Sequence, residues 1–237
     1  MHKKIKINIT IITTIFTMLL NGSIGVSHAE QQHHNQQYLN TPAAISGFYS
    51  PFNSNANGWI VSEDHLWYIE SSNYLTTKGC GIKILGACLA SVNHINNYPT
   101  LTYEVRLKIT GPGWGLVMVR GNPTFRDYRN EWKSGYQFWY DNKGNFRVHK
   151  INNYIVNKLK ISTTTAIKKG MWNTLKITAI AGKLKYYING TLVWNMTDYS
   201  SLPTGRVGIG FLNPETKIDK LWVDWAKLST TVSSIDE

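Results

Sequence analysis

One stretch of the sequence, from Met171 to Phe211, constrains the fold more than any other. Side chains from Trp172 to Ile180 alternate between two faces, which is the period of a strand. The dipeptide Asn189-Gly190 separates two further β-rich runs, and both residues tolerate the positive φ that a two-residue hairpin turn requires. Gly205 to Phe211 then supplies another strand. The stretch is therefore predicted to be a β-meander.

The same pattern extends back to Ile45 and forward to Leu228. Its clearest example is Leu101–Ile109, which places Tyr103, Val105, Leu107 and Ile109 on one face and charged residues on the other. Roughly a dozen such runs follow one another, with a less regular stretch between Lys150 and Gly170 and no helical period. The sequence predicts an all-β fold in which antiparallel strands form two packed sheets.

The N-terminus has the features of a signal peptide. Three lysines precede the apolar run from Ile7 to Leu20, and Ser27-His28-Ala29 offers small residues for cleavage before Glu30. The alternative is a single N-terminal membrane anchor. We predict that residues 1–29 are a removed signal peptide, 30–44 a polar linker, 45–228 the β-sandwich and 229–237 a disordered tail. The protein would then be secreted or periplasmic, with no membrane span after cleavage.

The sequence contains two cysteines, Cys80 and Cys88. In an exported chain a close, even pair of this kind is typical of a disulfide that closes a small loop. A reactive pair is less favoured because the C-x-x-C spacing is absent. We therefore predict a disulfide between Cys80 and Cys88.

The chain is basic, with 25 lysines and arginines against 14 acidic residues. This balance favours an acidic partner, such as an anionic polysaccharide or a surface of lipid headgroups. The richest basic patch lies between Lys143 and Lys169. No nucleic-acid-binding motif accompanies it and export argues against that partner, so no nucleic acid is expected.

Several motifs of the second half resemble those of concanavalin A-like lectin and glucanase domains. They are W-N-T-L-K-I from Trp172, Y-Y-I-N-G-T-L-V from Tyr186, G-R-V-G-I-G-F from Gly205 and I-D-K-L-W-V-D from Ile218. The resemblance covers roughly residues 45–228. It implies a jelly-roll sandwich whose concave sheet face meets the ligand, and the similar bacterial families include laminin G-like domains and 3-keto-disaccharide hydrolases.

Glucanases with this fold carry an E-x-D-x-x-E motif, which sets two carboxylates about 5 Å apart on one strand. No stretch of this sequence has that pattern. The sequence therefore does not decide whether the protein is an enzyme, but it favours a protein without catalytic activity. The run Asp141-Asn142-Lys143-Gly144 resembles an oxygen-rich metal loop, but a hairpin turn explains the same residues more simply. No metal and no cofactor are expected.

The region from Trp114 to Tyr140 combines aromatic, arginine and amide side chains, which suit the faces and hydroxyl groups of sugars. Alternation and the resemblance together place Arg120, Gln137 and Trp139 in the groove. The predicted ligand-binding residues are Arg120, Arg126, Asp127, Tyr128, Trp132, Gln137 and Trp139. A core position for Trp139 is the competing interpretation.

These features lead to three functional hypotheses. The first is a lectin-like protein that recognises a glycan, possibly an anionic one, on the concave sheet face. The second is a glycoside-cleaving enzyme of the 3-keto-disaccharide hydrolase type, acting through Arg120, Gln137, Asp127 and Glu131. The third is an adhesion module without catalysis, which binds polyanions through its basic surface.

Overall fold

The computed structural model describes residues 46–61, 67–76, 87–123, 132–214 and 220–230, all within one compact unit. These residues form two antiparallel sheets and no helix, which confirms the predicted all-β sandwich. No helix able to span a membrane is found in these ranges.

Eight strands form one sheet, which we call sheet A. They are β1 (Phe48–Ser50), β3 (Trp67–Glu70), β4 (Asn73–Thr76), β6 (Leu101–Ile109), β11 (Asn173–Ile180), β12 (Lys183–Ile188), β13 (Thr191–Thr197) and β15 (Leu221–Ser229). Their spatial order is β13-β12-β11-β6-β15-β4-β3, with β1 also paired to β15. Strands that are far apart in sequence are therefore neighbours at the centre of this sheet.

Seven strands form the second sheet, sheet B. They are β2 (Trp59–Val61), β5 (Ala87–His94), β7 (Trp114–Pro123), β8 (Trp132–Asp141), β9 (Asn145–Asn152), β10 (Ile155–Thr163) and β14 (Arg206–Pro214). Their spatial order is β10-β9-β8-β7-β14-β5-β2. The hairpin strands β7 to β10 are consecutive neighbours, so the middle of the chain forms one half of this sheet.

The main core lies between the two sheets and is built by strict alternation. Along β6 buried and half-buried residues alternate from Leu101 to Ile109, and β11 repeats the pattern from Asn173 to Ala179. Sheet B contributes Val117, Phe138 and their neighbours of the same parity to the same apolar cluster. Because each strand has one apolar face, packing the two sheets together removes both faces from water.

The predicted meander is confirmed, including its tightest turn. Asn189 has a φ of 49° and Gly190 a φ of 83°, as a two-residue hairpin turn of type I′ requires. Ile188 pairs with Thr191 directly across this turn. The Asn189 amide also donates hydrogen bonds of 2.8 Å to the Ala166 carbonyl and to Asn173 Oδ1. The side chain thus ties the turn to the preceding connection.

The structure differs from the sequence prediction in the stretch taken as irregular. Residues Ile155–Thr163 form β10, which pairs with β9 at the edge of sheet B. Most of its side chains are exposed, so it lacks the alternation between buried and exposed residues by which the other strands are predicted. The predicted signal peptide, linker and most of the tail, as well as Cys80, lie outside the described residues, so the domain limits and the disulfide stay predictions.

Candidate functional site

The outer face of sheet B, which we call the site face, carries a second and smaller apolar cluster. It consists of Leu116, Met118, Trp132, Trp139 and Ile151, with Trp114 and Leu212 packed against it. On the regular parts of their strands, Leu116 and Met118 alternate with Val117, and Trp139 alternates with Phe138; Val117 and Phe138 point into the main core. This cluster therefore fixes side chains on the face where the resemblance predicts a ligand.

Trp132 covers the middle of the site face. A methyl group added at Gly208 would lie 2.6 Å from Trp132 Cζ2, and one added at Gly121 would also collide with the indole ring. The indole N–H donates a hydrogen bond of 3.1 Å to Ser91 Oγ on β5. The two glycines are therefore required by the close approach of the ring, which spans β7, β14 and β5.

Four side chains from β8 and β9 form a polar and aromatic group beside this ring. Trp139 is 8% exposed and donates a hydrogen bond of 3.1 Å from Nε1 to Gln137 Oε1. Across the β8–β9 pair, Gln137 lies opposite His149 and Trp139 lies opposite Arg147. The Arg147 guanidinium carbon is 3.9 Å from the ring centre of Trp114, in cation–π geometry.

Two polar atoms of this group are buried without a hydrogen-bond partner in the described part of the chain, His149 Nε2 and Arg147 Nε. Burial, together with the charges of Arg147 and Lys158, lowers the pKa of His149 to about 4. His149 is therefore neutral at pH 7. Buried polar atoms usually have partners, so these two identify a polar spot within the apolar cluster.

The structure places Arg120 on the opposite side from the one predicted. Alternation along β7 predicts that it shares a face with Leu116 and Met118, but Arg120 has a φ of 51° at a bulge in the β7–β8 pairing. The bulge turns the side chain inwards, where it donates hydrogen bonds to the carbonyl oxygens of Ala181 (2.7 Å) and Pro99 (2.8 Å). At 2% exposure it links the ends of the two sheets.

A buried ionic network lies at the same end of the sandwich. Asp198 accepts hydrogen bonds from Lys150 Nζ (2.6 Å) and the Tyr136 hydroxyl (2.7 Å), and Ser200 also donates to it. Burial alone would raise the pKa of Asp198, but these bonds outweigh it and lower the pKa to about 2. Because its groups are partnered, we interpret the network as structural.

A pocket of about 460 Å³ opens beside this network, and we call it the end pocket. Gly121 and Gly205 contribute backbone, and Gly205 packs against the backbone of Arg120. The polar side chains that line the pocket are Asn97, Asn122, Ser134, Thr204 and Arg206. Arg206 Nη1 also donates a hydrogen bond of 2.8 Å to Asn93 Oδ1, which fixes the guanidinium at the border between pocket and site face.

Residues 47–224 match the family model of the 3-keto-alpha-glucoside-1,2-lyase-like domain. The chain belongs to this family. The match includes both sheets, the site face and the end pocket. It confirms the resemblance to concanavalin A-like jelly rolls that the sequence motifs indicate.

Solved structures with the same fold include both binding and cleaving proteins. The carbohydrate-binding module CBM66 from Bacillus subtilis is 20% identical, with a TM-score of 0.57 over 76% of this chain and 100% of that chain. A β-glucanase from Bacillus licheniformis is 13% identical, with a TM-score of 0.61 over 78% and 99%. The carbohydrate recognition domain of Emp47p is 14% identical, with a TM-score of 0.58 over 79% and 96%. A search of curated proteins returned no match.

In this member of the 3-keto-alpha-glucoside-1,2-lyase-like family, the described part of the site face holds a single carboxylate, Asp141. Its oxygens accept hydrogen bonds from the backbone N–H groups of Lys143 and Asn145 and from the Asn145 amide, which is the predicted hairpin turn. No cluster of metal-binding side chains occurs within the described ranges. The described face therefore lacks the carboxylate pair used by most glycoside hydrolases.

Of the predicted ligand-binding residues, the structure brings Trp132, Gln137 and Trp139 together on the site face. Arg120 lies inside the sandwich, while Arg126, Asp127 and Tyr128 are outside the described residues. Sequence reasoning missed Trp114, Arg147 and His149, although Arg147 and His149 alternate with the apolar Phe146 and Val148. It also missed the end pocket, whose lining comes from strand ends and connections that are far apart in sequence.

Proposed function

We propose that this domain binds a glycan, with the sugar held in the end pocket and extending onto the adjoining site face. The observation that supports it most is the pocket itself, whose lining combines amide, hydroxyl and guanidinium groups. Such groups can satisfy several sugar hydroxyls at once, and a volume of about 460 Å³ falls within the usual range for small-ligand sites. Trp132 and the prolines of the pocket border would supply apolar contact.

The second part of the proposal concerns the polar spot on the site face. His149 Nε2 and Arg147 Nε lie beside Gln137 and Trp139, whose amide and indole are already fixed by their mutual hydrogen bond. A bound sugar that shifts the Arg147 guanidinium from Trp114 would free one aromatic face for a sugar ring. We therefore assign Trp114 and Trp139 as the aromatic contacts of the site.

A glycan array with the wild type and three variants tests this proposal. The wild type should bind a defined set of glycans, Arg206→Gln should lose at least about 10-fold in affinity, and Trp139→Ala should also weaken binding. The matched control is Arg106→Gln, which removes the same charge from the outer face of sheet A and should leave the hits among uncharged glycans unchanged. An array without hits, or equal losses from both arginine variants, would exclude the end pocket.

Cleavage is the second candidate function, and the family match favours it. Asp127 and Glu131 would have to supply the acid–base pair, because the described site face has only the turn residue Asp141. The test is turnover of a 3-keto-glucoside by the wild type and by Asp127→Asn and Glu131→Gln. Turnover that both substitutions abolish would establish an enzyme. If the wild type shows no turnover, glycan binding is the remaining candidate function.

We also propose that the protein is exported and acts outside the cytoplasm. The support is the basic and apolar N-terminal segment with its small-residue cleavage sequence. Mass spectrometry of the protein secreted by its native host should give a chain that begins at Glu30. A product that retains residues 1–29 would identify the segment as a membrane anchor.

A further inference from the structure

The outer face of sheet A presents aromatic rings and cations in alternation, and we call it the cation–aromatic face. Its central strands are β15, β6, β11 and β12. The aromatic residues on it are Trp172, Trp222, Trp225 and Tyr187, and the cations are Arg106, Lys108, Lys176, Lys220 and Lys227. This face is on the opposite side of the domain from the site face.

The strand register produces the alternation. Trp222 on β15 lies opposite Lys108 on β6, and one step along the same pair Trp225 lies opposite Arg106. On the same face, beyond β6, Lys176 on β11 lies opposite Tyr187 on β12. Cross-strand neighbours lie about 5 Å apart, so the sheet itself holds Lys108 next to Trp222 and Lys176 next to Tyr187.

The distances show that a lysine side chain lies over the face of each of these rings. Lys108 Nζ is 5.0 Å from the ring centre of Trp172 and 5.7 Å from that of Trp222, and Lys220 Nζ is 5.3 Å from Trp222. Lys176 Nζ is 4.4 Å from the Tyr187 ring. Cation–π contacts of this kind hold the ammonium groups at defined positions, while the charges still face the solvent.

Positive charge exceeds negative charge on this face. Three carboxylates lie among the cations, and each has a partner: Asp224 with Arg106 (3.0 Å), Glu104 with Lys227 (3.4 Å) and Glu70 with Lys220 (3.9 Å). No carboxylate of the described ranges is within ion-pair distance of Lys108 or Lys176. These two lysines are therefore surplus charges, and they lie on the neighbouring strands β6 and β11.

We propose that the cation–aromatic face binds an anionic polysaccharide, an extended chain that carries carboxylate, sulfate or phosphate groups. The charges recur along and across flat strands, so a linear polyanion can meet several of them in succession. A membrane fits less well, because the three tryptophans are half-buried with cations over them rather than exposed for insertion. Nucleic acid fits less well because bases would need free ring faces for stacking.

This inference goes beyond the proposed glycan site, since it concerns a different sheet and does not depend on the end pocket. A polyanion bound on one outer face leaves the other outer face accessible. The domain could then bind an anionic polysaccharide through sheet A while its site face binds a different glycan.

The experiment measures binding of the full chain to immobilised dextran sulfate, with unsulfated dextran of the same length as the reference. The test variant is the triple substitution Lys108→Gln, Lys176→Gln and Lys227→Gln. The matched control is Lys143→Gln, Lys168→Gln and Lys169→Gln, which removes the same charge from the predicted basic patch outside this face. Thermal unfolding of each variant checks that the fold is retained, and Lys176→Glu serves as a single-site version.

We expect the wild type to bind dextran sulfate and not dextran, and to release it near 0.3 M salt, roughly, since screening weakens exposed charge pairs. The test triple should bind at least about 10-fold more weakly, and its dependence on salt should fall by about two to three ion contacts. The control triple should stay within about threefold of the wild type.

Three results would overturn the proposal. One is equal loss in the control triple, which would mean that binding follows net charge and not this face. Another is equal binding to unsulfated dextran, or no binding to dextran sulfate. The last is tighter binding to vesicles of anionic phospholipid or to duplex DNA, which would assign the face to a membrane or a nucleic acid instead.

Discussion

The two outer faces of the sandwich use their aromatic residues differently. On the site face Trp132 and Trp139 are 3% and 8% exposed, and they pack into an apolar cluster while their indole N–H groups donate hydrogen bonds to Ser91 and Gln137. On the cation–aromatic face the tryptophans are half-buried, and lysines and an arginine lie over them. The same residue type therefore stabilises the fold on one face and positions charge on the other.

This difference has a physical consequence for how each face responds to its surroundings. Removing a ring from the site face leaves a cavity, so the cost appears as lost stability. Removing a cation from the other face changes an exposed, screened interaction, so the cost appears mainly in salt-dependent binding. Measurements of the free energy of unfolding should therefore distinguish substitutions on the two faces before any ligand is known.

The largest effect is expected for Trp132→Ala. The indole packs over Gly121 and Gly208 and bonds to Ser91, so its loss should lower the free energy of unfolding by about 3–5 kcal/mol. Urea denaturation measures this directly. The matched variant Trp225→Ala on the cation–aromatic face should cost only about 1–2 kcal/mol, because that ring is half-buried. Equal costs would mean that the two faces do not differ as we describe.

A smaller effect is expected for Gly208→Ala, since the added methyl group meets the Trp132 ring at 2.6 Å. Overpacking of this kind should lower the free energy of unfolding by about 1–3 kcal/mol. In a Trp132→Ala background the same glycine substitution should cost less, because the colliding ring is gone and only the contact of 2.8 Å with the Val92 carbonyl oxygen remains. A double-mutant cycle tests this coupling. Additive costs would show that the indole does not lie over Gly208.

Acid should destabilise the site face through His149. Its pKa is about 4 in the folded protein, below the unfolded value of about 6.5. The stability contributed by the neutral form is therefore complete above pH 6.5 and is lost as the pH falls towards 4. Between these values His149→Gln should flatten the fall in Tm by about a few degrees. The pKa of His94 is also lowered to about 4, so this residue accounts for the acid-induced fall in Tm that remains in the His149→Gln variant.

The control for this pH series is Lys108→Gln on the cation–aromatic face. That substitution should leave the acid-induced fall in Tm unchanged, because no described histidine lies on that face. A His149→Gln curve that follows the wild type at every pH would mean that His149 does not remain neutral in the folded state.

The smallest effect is expected for Arg106→Gln. Its ion pair with Asp224 is 3.0 Å long but both side chains are partly exposed, so the change should cost less than about 1 kcal/mol. The difference from the wild type should shrink further in about 1 M salt. Thermal unfolding at low and high salt measures it. A loss that persists at high salt would indicate that Arg106 stabilises the domain by packing rather than by charge.

Much of the fold could be predicted because most strands have one apolar face. Alternation gave the correct inward residues on β6 and β11, and Asn189-Gly190 marked the turn between β12 and β13. The strand β10 was missed because an exposed edge strand has no buried face to create a pattern. The alternation of apolar and polar residues reflects burial of one face, so it does not mark a strand that is exposed to solvent on both faces.

The site was less predictable, for reasons that Arg120 and Arg206 show. A positive φ at a bulge reverses the face of Arg120, and nothing in the sequence around a non-glycine residue announces that turn. Arg206 joins Asn97, Asn122 and Ser134 only because the ends of three strands and the segment that contains Asn97 meet at one end of the sandwich. Gln137 and Trp139 share one face of β8, as alternation predicts, since both lie on a regular part of that strand, and their role in binding stays a prediction.

The hairpin turn at Asn189 also limits how the protein can be produced. Asn189-Gly190-Thr191 is a glycosylation sequon, and a eukaryotic secretory pathway would attach a sugar to the amide nitrogen before the chain folds. That nitrogen donates to both Ala166 and Asn173, so one of its two hydrogens would be lost. Thr191→Ala removes the sequon while keeping Asn189, and Thr191 is exposed at the start of β13. Expression in yeast or mammalian cells therefore calls for that substitution to protect this turn, whereas bacterial expression does not.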